Sequence, residues 1–217
     1  QKNKELQRDM ISGGFVFYDG QMDDYELGCW VADQAIKNGV IIKENHEVYN
    51  ISTDGKFSIM DNHFYKNKKS YDSKLFDFII IASGSYTEEL LVNSNITPNF
   101  KINHVRGSHI IINRCLKNGY LFEYPNEKRI FFVLPYKNQT LIGTTDTPFT
   151  GNPNDITIDD TDINYLLTAC NQYLTTPPLT QSDILDTYAG LRTLHYSTKS
   201  ASKRSRDFTL SRSSSGL

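Results

Sequence analysis

The chain has 217 residues, 38% hydrophobic and 12% aromatic, enough for one large domain or two small ones with a sizeable core. Its 23 Lys and Arg against 25 Asp and Glu leave a formal net charge of −2, so there is no broad electrostatic case for nucleic acid. The three cysteines, Cys29, Cys115 and Cys170, lack CxxC spacing, which argues against structural zinc and a disulfide framework and fits a reducing compartment.

Residues 1–10 are polar and read as the frayed remnant of an earlier helix. Residues 14–20 read as a strand ending in a turn. Asp23 or Asp24 can cap the next helix, in which Leu27, Trp30, Val31, Ala35 and Ile36 recur at helical spacing up to an Asn38-Gly39 stop. The neighbouring carboxylates of Asp23 and Asp24 point apart on a helix start, so capping is favoured over a catalytic pair. Residues 40–42 and 46–51 read as short strands. The lysine-rich stretch 62–75 reads as a hairpin with a flexible tip. Residues 76–82 are the longest apolar run, too short to cross a membrane, and suit a fully buried strand that breaks into a small-residue turn at Ser83-Gly84. A short helix starts at Thr87.

From about Lys101 the pattern changes to successive strands, at 103–112, 120–123, 129–134 and 140–145, which read as an antiparallel sheet. Residues 159–174 read as a helix with an acidic first turn, favourable to its dipole, and a buried stripe of Ile163, Leu166, Leu167 and Cys170. Pro177-Pro178 breaks the chain. Residues 185–194 and 205–210 each set one arginine, Arg192 and Arg206, in an apolar, strand-like run. A guanidinium on a strand is a rigid five-donor fork, and two of them could clamp one small dianion. Read alone, they are two surface arginines on edge strands. Helix and strands first, antiparallel sheet second, implies two lobes in an α+β / α/β fold.

Four motifs occur in order: Arg106-Gly107-Ser108-His109, Leu141-Ile142-Gly143-Thr144-Thr145-Asp146, Gly190-Leu191-Arg192 and Arg206-Asp207-Phe208-Thr209-Leu210. With their spacing they resemble the FAD-dependent, quinone-linked glycerol-3-phosphate dehydrogenases of the glycine-oxidase-like flavoprotein superfamily, over residues 19–210. The resemblance implies a partial FAD-binding lobe at 11–98, with the strand at 14–19 able to join the second sheet. It implies an antiparallel substrate-binding lobe at 99–210; by composition alone, residues 1–10 and 211–217 read as disordered tails. Residues 79–85 resemble the family's second FAD contact, implying Ser83 and Gly84 at the cofactor and Val48 at its adenine. Read alone, Val48 is a buried strand valine. Where the family places Pro-Trp, this chain has Ser85-Tyr86.

The resemblance makes His109 the base that takes a hydroxyl proton while a hydride leaves carbon. Without it, His109 reads as a structural histidine bonded to a backbone carbonyl. Arg192 and Arg206 would hold the substrate phosphate, although Thr193 stands where the family usually has Pro. Thr144, Thr145 and Asp146 could line the pocket floor, Thr145 as a substrate contact; read alone they are a strand end with satisfied hydroxyls. Arg106 reads as a surface strand residue. His46, His63, His104 and His195 read as structural or exposed, and no metal site is expected.

The family opens with Gly-x-Gly-x-x-Gly for the FAD pyrophosphate, and this chain contains no such motif. The family's later Gly-Gly-Lys-Leu-Thr segment is also not in it. The expectation is the central part of a longer enzyme, inactive and without stoichiometric FAD on its own. The parent would oxidise sn-glycerol 3-phosphate to dihydroxyacetone phosphate and pass electrons to quinone, in the cytoplasm or peripheral to the inner membrane. The alternatives are a non-catalytic anion-binding fragment and an oxygen-using flavin oxidase of glycerol phosphate or an amino acid.

Overall fold

The computed structural model describes residues 4–52, 57–61, 68–72, 76, 78–125, 127–175, 177–198, 207, 208 and 210–212. These form two compact units. The larger draws on 1–13, 82–88 and 98–211, and the smaller on 14–81, 89–97 and 212–217.

In the smaller unit, helix α1 (Asp24–Lys37) starts at Asp23, whose carboxylate accepts from the amides of Tyr25 and Glu26 at 3.1 and 3.2 Å. Capping is therefore what Asp23 does. The helix stops at Asn38, and Gly39 follows at φ +87°, a conformation that suits glycine. Strands β1 (His46–Ile51), β2 (Phe57–Asp61) and β3 (Lys68–Asp72) form an antiparallel meander. Strand β3 lies inside the lysine-rich stretch read as a hairpin; the expected flexible tip lies outside the described residues. Three expected strands are not strands. Residues 14–20, 40–42 and 76–82 join no ladder among the described residues, and Phe78 and Ile80 are 81% and 84% exposed. β-propensity reports the fit of a side chain to a pleated surface, but a strand exists only where a neighbour accepts its hydrogen bonds.

The larger unit holds β4 (Ile102–Ile112), β5 (Tyr120–Glu123), β6 (Ile130–Tyr136), β7 (Gln139–Gly143), β8 (Thr147–Phe149) and β9 (Ile184–His195), all paired antiparallel. Strand β9 runs along one edge of β4 for its whole length. The other edge is left to β7 at 109–112 and to β8 at 104–106. The period of two puts Ile110, Ile112, Phe131, Val133 and Ile142 on one face. Helix α3 (Asp160–Tyr173) belongs to the same core, burying Leu166, Leu167 and Cys170. Its N-cap, Asp159, accepts from the Asp162 amide at 2.9 Å. That bond, with Arg106 beside it, holds the Asp159 carboxyl below the usual carboxylate range.

Residues 4–10, read as a helix remnant, run extended past the end of α3 and close with a 3-10 turn at Arg8–Met10. The Gln7 amide donates to Tyr173 O at 2.8 Å, and the Thr175 amide to Glu5 O at 2.9 Å. The Glu5 carboxylate accepts from the Tyr120 hydroxyl at 2.5 Å.

Leu166, fully buried at the centre of this core, should cost about 2–5 kcal/mol when cut to alanine, measured by denaturant unfolding. Burial pushes the Cys170 thiol up, whereas Cys29 and Cys115 are exposed. Iodoacetamide should therefore label Cys29 and Cys115 in the folded chain and reach Cys170 only on unfolding, read by peptide mass.

Candidate active site

The sheet face opposite α3 carries the polar groups. On it, the register of β4 sets His109 between Gly143 of β7 and Tyr188 of β9. The Tyr188 ring stacks on the imidazole at 4.6 Å and 9°. A Cβ at Gly143 would fall 2.1 Å from His109 Cδ2, so the imidazole lies against bare backbone. An aromatic wall and a glycine fix its plane.

Arg192 pairs with Val105, on the same face as Gly107 and His109. Successive same-face positions on a strand are roughly 7 Å apart. A Cβ at Gly107 would meet Arg192 Nη2 at 2.6 Å, so the guanidinium crosses β4 where glycine leaves room. It reaches the strap of residues 144–146 that joins β7 to β8. Nη1 donates to Thr145 O at 3.2 Å and to Asp146 Oδ1 at 2.6 Å, and Nη2 to Thr144 Oγ1 at 3.0 Å. Asp146 is shared: Arg129 Nε lies 3.5 Å from its Oδ2, and Arg129 Nη2 donates to Thr144 O at 3.3 Å. A second carboxylate, Glu127, lies 3.6 Å from Arg129 Nη1, so the two guanidiniums and two carboxylates balance. Burial pushes the Tyr124 hydroxyl well up, so it stays a neutral donor, to Thr144 O at 3.2 Å.

The expected site residues divide. His109 and Arg192 share a face. Thr145 is buried, and its hydroxyl turns the other way, accepting from the Ser108 amide at 3.0 Å; its carbonyl is what Arg192 binds. Arg206 lies outside the described residues, as does His63. Val48 lies in the smaller unit, partly exposed at a bulge in β1. Ser83 and Gly84 lie in the larger unit. Ser83 Oγ bonds Thr87 Oγ1 at 3.1 Å, and Gly84 has φ +55°, which suits glycine. Helix α2 (Thr87–Asn93) follows. The two departures at Ser85 and Thr193 meet: their hydroxyls are 3.1 Å apart.

Arg106 departs from the expected surface position. It is buried, not a surface residue, and it ion-pairs with Asp159 and Asp162. A guanidinium on the covered face of the sheet needs carboxylate partners, and the acidic first turn of α3 supplies them. Tyr188, Arg129 and Asp162 were not singled out from sequence, because strand register and helix docking bring them in. Among the described residues no His, Cys, Asp and Glu cluster could hold a metal. Gly84 and Gly190 have open space where a Cβ would stand, so bare backbone is available to a closely approaching planar group. An oriented imidazole beside an arginine fork can accept a proton from an anionic substrate that the fork holds.

A family model described as FAD dependent oxidoreductase, DAO, matches residues 2–213. The chain is 29% identical over 192 residues to D-erythritol 1-phosphate dehydrogenase of Brucella abortus, covering 86% of this chain and 37% of that protein. It is 28% identical over 204 residues to the aerobic glycerol-3-phosphate dehydrogenase of Escherichia coli, covering 92% and 40%. The chain thus spans about two fifths of the length of these relatives. Among solved structures, the glycerol-3-phosphate dehydrogenase from Bacillus halodurans complexed with FAD is similar at TM-score 0.84 and 22% identity, covering 100% of this chain and 42% of that one. That likeness shows the fold, a mixed helix and antiparallel-sheet architecture. With a family model matched over nearly its whole length, the chain belongs to the DAO family of FAD dependent oxidoreductases.

Proposed function

We propose that this chain is the central part of an FAD-dependent dehydrogenase that oxidises sn-glycerol 3-phosphate to dihydroxyacetone phosphate. Residues 11–98 would contribute to the flavin lobe and 99–210 to the substrate lobe. The observation that carries the reading is His109 and Arg192 on one sheet face, with Arg192 crossing β4 at Gly107. Arg192, with Arg206 as its second fork, holds the phosphate dianion, and Thr145 contributes by fixing Arg192 through its carbonyl. His109 takes the proton of the secondary hydroxyl. The open backbone at Gly84, beside Ser83, and at Gly190 leaves room for a flavin's close approach; in the smaller unit, Val48 is the residue we assign to an adenine contact. A bound flavin supplies the hydride acceptor, FAD being the family's cofactor.

From there electrons pass to a quinone, in a parent that is cytoplasmic or attached at a membrane surface. No helix among the described residues is long and apolar enough to cross a membrane. The Brucella relative is named for a four-carbon polyol phosphate, so D-erythritol 1-phosphate belongs in the substrate test.

In the full-length protein, anaerobic glycerol 3-phosphate should bleach the flavin. A flavoprotein that neither glycerol 3-phosphate nor erythritol 1-phosphate bleaches would overturn the assignment. Arg192→Ala should raise KM about 10–100-fold, the loss of a charge-assisted contact, with a smaller change in kcat. His109→Ala should lower kcat about 10²–10⁴-fold with KM nearly kept. Gly143→Ala should behave like His109→Ala, because the added methyl takes the space of the imidazole.

A further inference from the structure

The extended residues 144–147 alternate their side chains as a strand does. Thr144 and Asp146 turn to Arg192. Thr145 and Thr147 turn to Asp162, in the first turn of α3 and 4% exposed. Asp162 Oδ2 accepts from Ser108 Oγ at 2.5 Å and Thr145 Oγ1 at 3.2 Å, and Oδ1 from Thr147 Oγ1 at 2.9 Å. Arg106 Nη2 lies 3.0 Å from Oδ2. Arg106, which also pairs with Asp159, offsets part of the charge. The three hydroxyls do something else: they tie one carboxylate to β4 at Ser108, to the strap at Thr145 and to the start of β8 at Thr147. Ser108 is the chain neighbour of His109. Thr145 offers Arg192 its carbonyl. Arg192 thus grips the strap from one side of the sheet and Asp162 from the other.

The geometry points to Asp162 as a positioning residue for the Arg192–His109 face. By holding Ser108, Thr145 and Thr147 from behind, it makes the strap present Thr144 Oγ1, Thr145 O and Asp146 Oδ1 to Arg192 in a single arrangement. This rests on the reading that Arg192 binds the substrate phosphate and His109 takes its proton.

The test uses the full-length flavoprotein with three variants. Asp162→Asn keeps the size but puts an amide where a carboxylate accepts. Thr145→Val cuts the strap from Asp162 while leaving the Arg106–Asp162 pair, and Thr145→Ser keeps the hydroxyl. All are assayed well below their melting temperatures. Thr145→Val and Asp162→Asn are expected to raise KM for glycerol 3-phosphate about tenfold, with Thr145→Ser close to wild type. A purely structural Asp162 would lower the melting temperature and leave KM and kcat untouched, and that result rejects the proposal. If Asp162→Asn does not fold, the valine and serine variants decide alone. If wild-type enzyme is not reduced by glycerol 3-phosphate, the functional reading fails by itself. Phenylglyoxal modification of Arg192 then decides: faster labelling in Thr145→Val but not in Thr145→Ser supports positioning, and equal rates in all forms reject it.

Discussion

Arg192 reaches Asp146 by crossing β4, and Gly107 and Gly143 take their meaning from the arginine and histidine beside them. The pair spans the width of one strand, from β9 over Gly107 to the strap beyond, at 2.6 Å and with side chains 24% and 10% exposed. Partial burial makes such a pair directional, because truncating either member leaves a charge with poor solvation. Arg129 shares the carboxylate and has a second one in Glu127, so the charges balance within the cluster on a half-open face. Any side chain at Gly107 would lift the guanidinium off the strand. Gly143 answers the same constraint for His109. Close approach to backbone, rather than unusual torsion, is why these positions hold glycine: neither has positive φ.

The two faces of the larger sheet divide stability from chemistry. One is filled by Ile110, Ile112, Phe131, Val133 and Ile142 with the apolar stripe of α3. The other carries His109, Tyr188 and Arg192. Strand alternation forces adjacent residues into opposite environments, so Ser108 and His109 serve different faces although bonded to each other. The exception on the core side is buried Arg106 with buried Asp162, which pair with each other, while exposed Asp159 pairs with Arg106 from the rim. This lets a polar network stand behind the functional face without an unpaired carboxylate inside the core.

Much of the larger unit was legible in advance. The strand patterns at 103–112, 120–123 and 129–134 match β4, β5 and β6 within two residues, and the helix at 159–174 matches α3. Asp23 and the Asn38-Gly39 stop marked α1 by local hydrogen bonding alone. The misreadings share one cause. Residues 14–20 and 76–82 have strand composition, yet their state depends on a neighbour that propensity cannot name. Arg106 looked like a surface residue because its partners, Asp159 and Asp162, lie more than fifty positions away.

The sequence by itself determined the local periods, the caps and the residue types able to handle a proton and an anion, because these depend on chain neighbours within a turn or two. Tertiary structure alone decided which of them meet. Register put Tyr188 on His109 and glycines beneath the imidazole and the guanidinium, and it turned the Thr145 hydroxyl away from Arg192 while leaving its carbonyl there. It also paired Ser85 with Thr193 across 108 positions. Such pairings follow from strand register and helix docking, which arise from the whole packed core and not from any single stretch of chain.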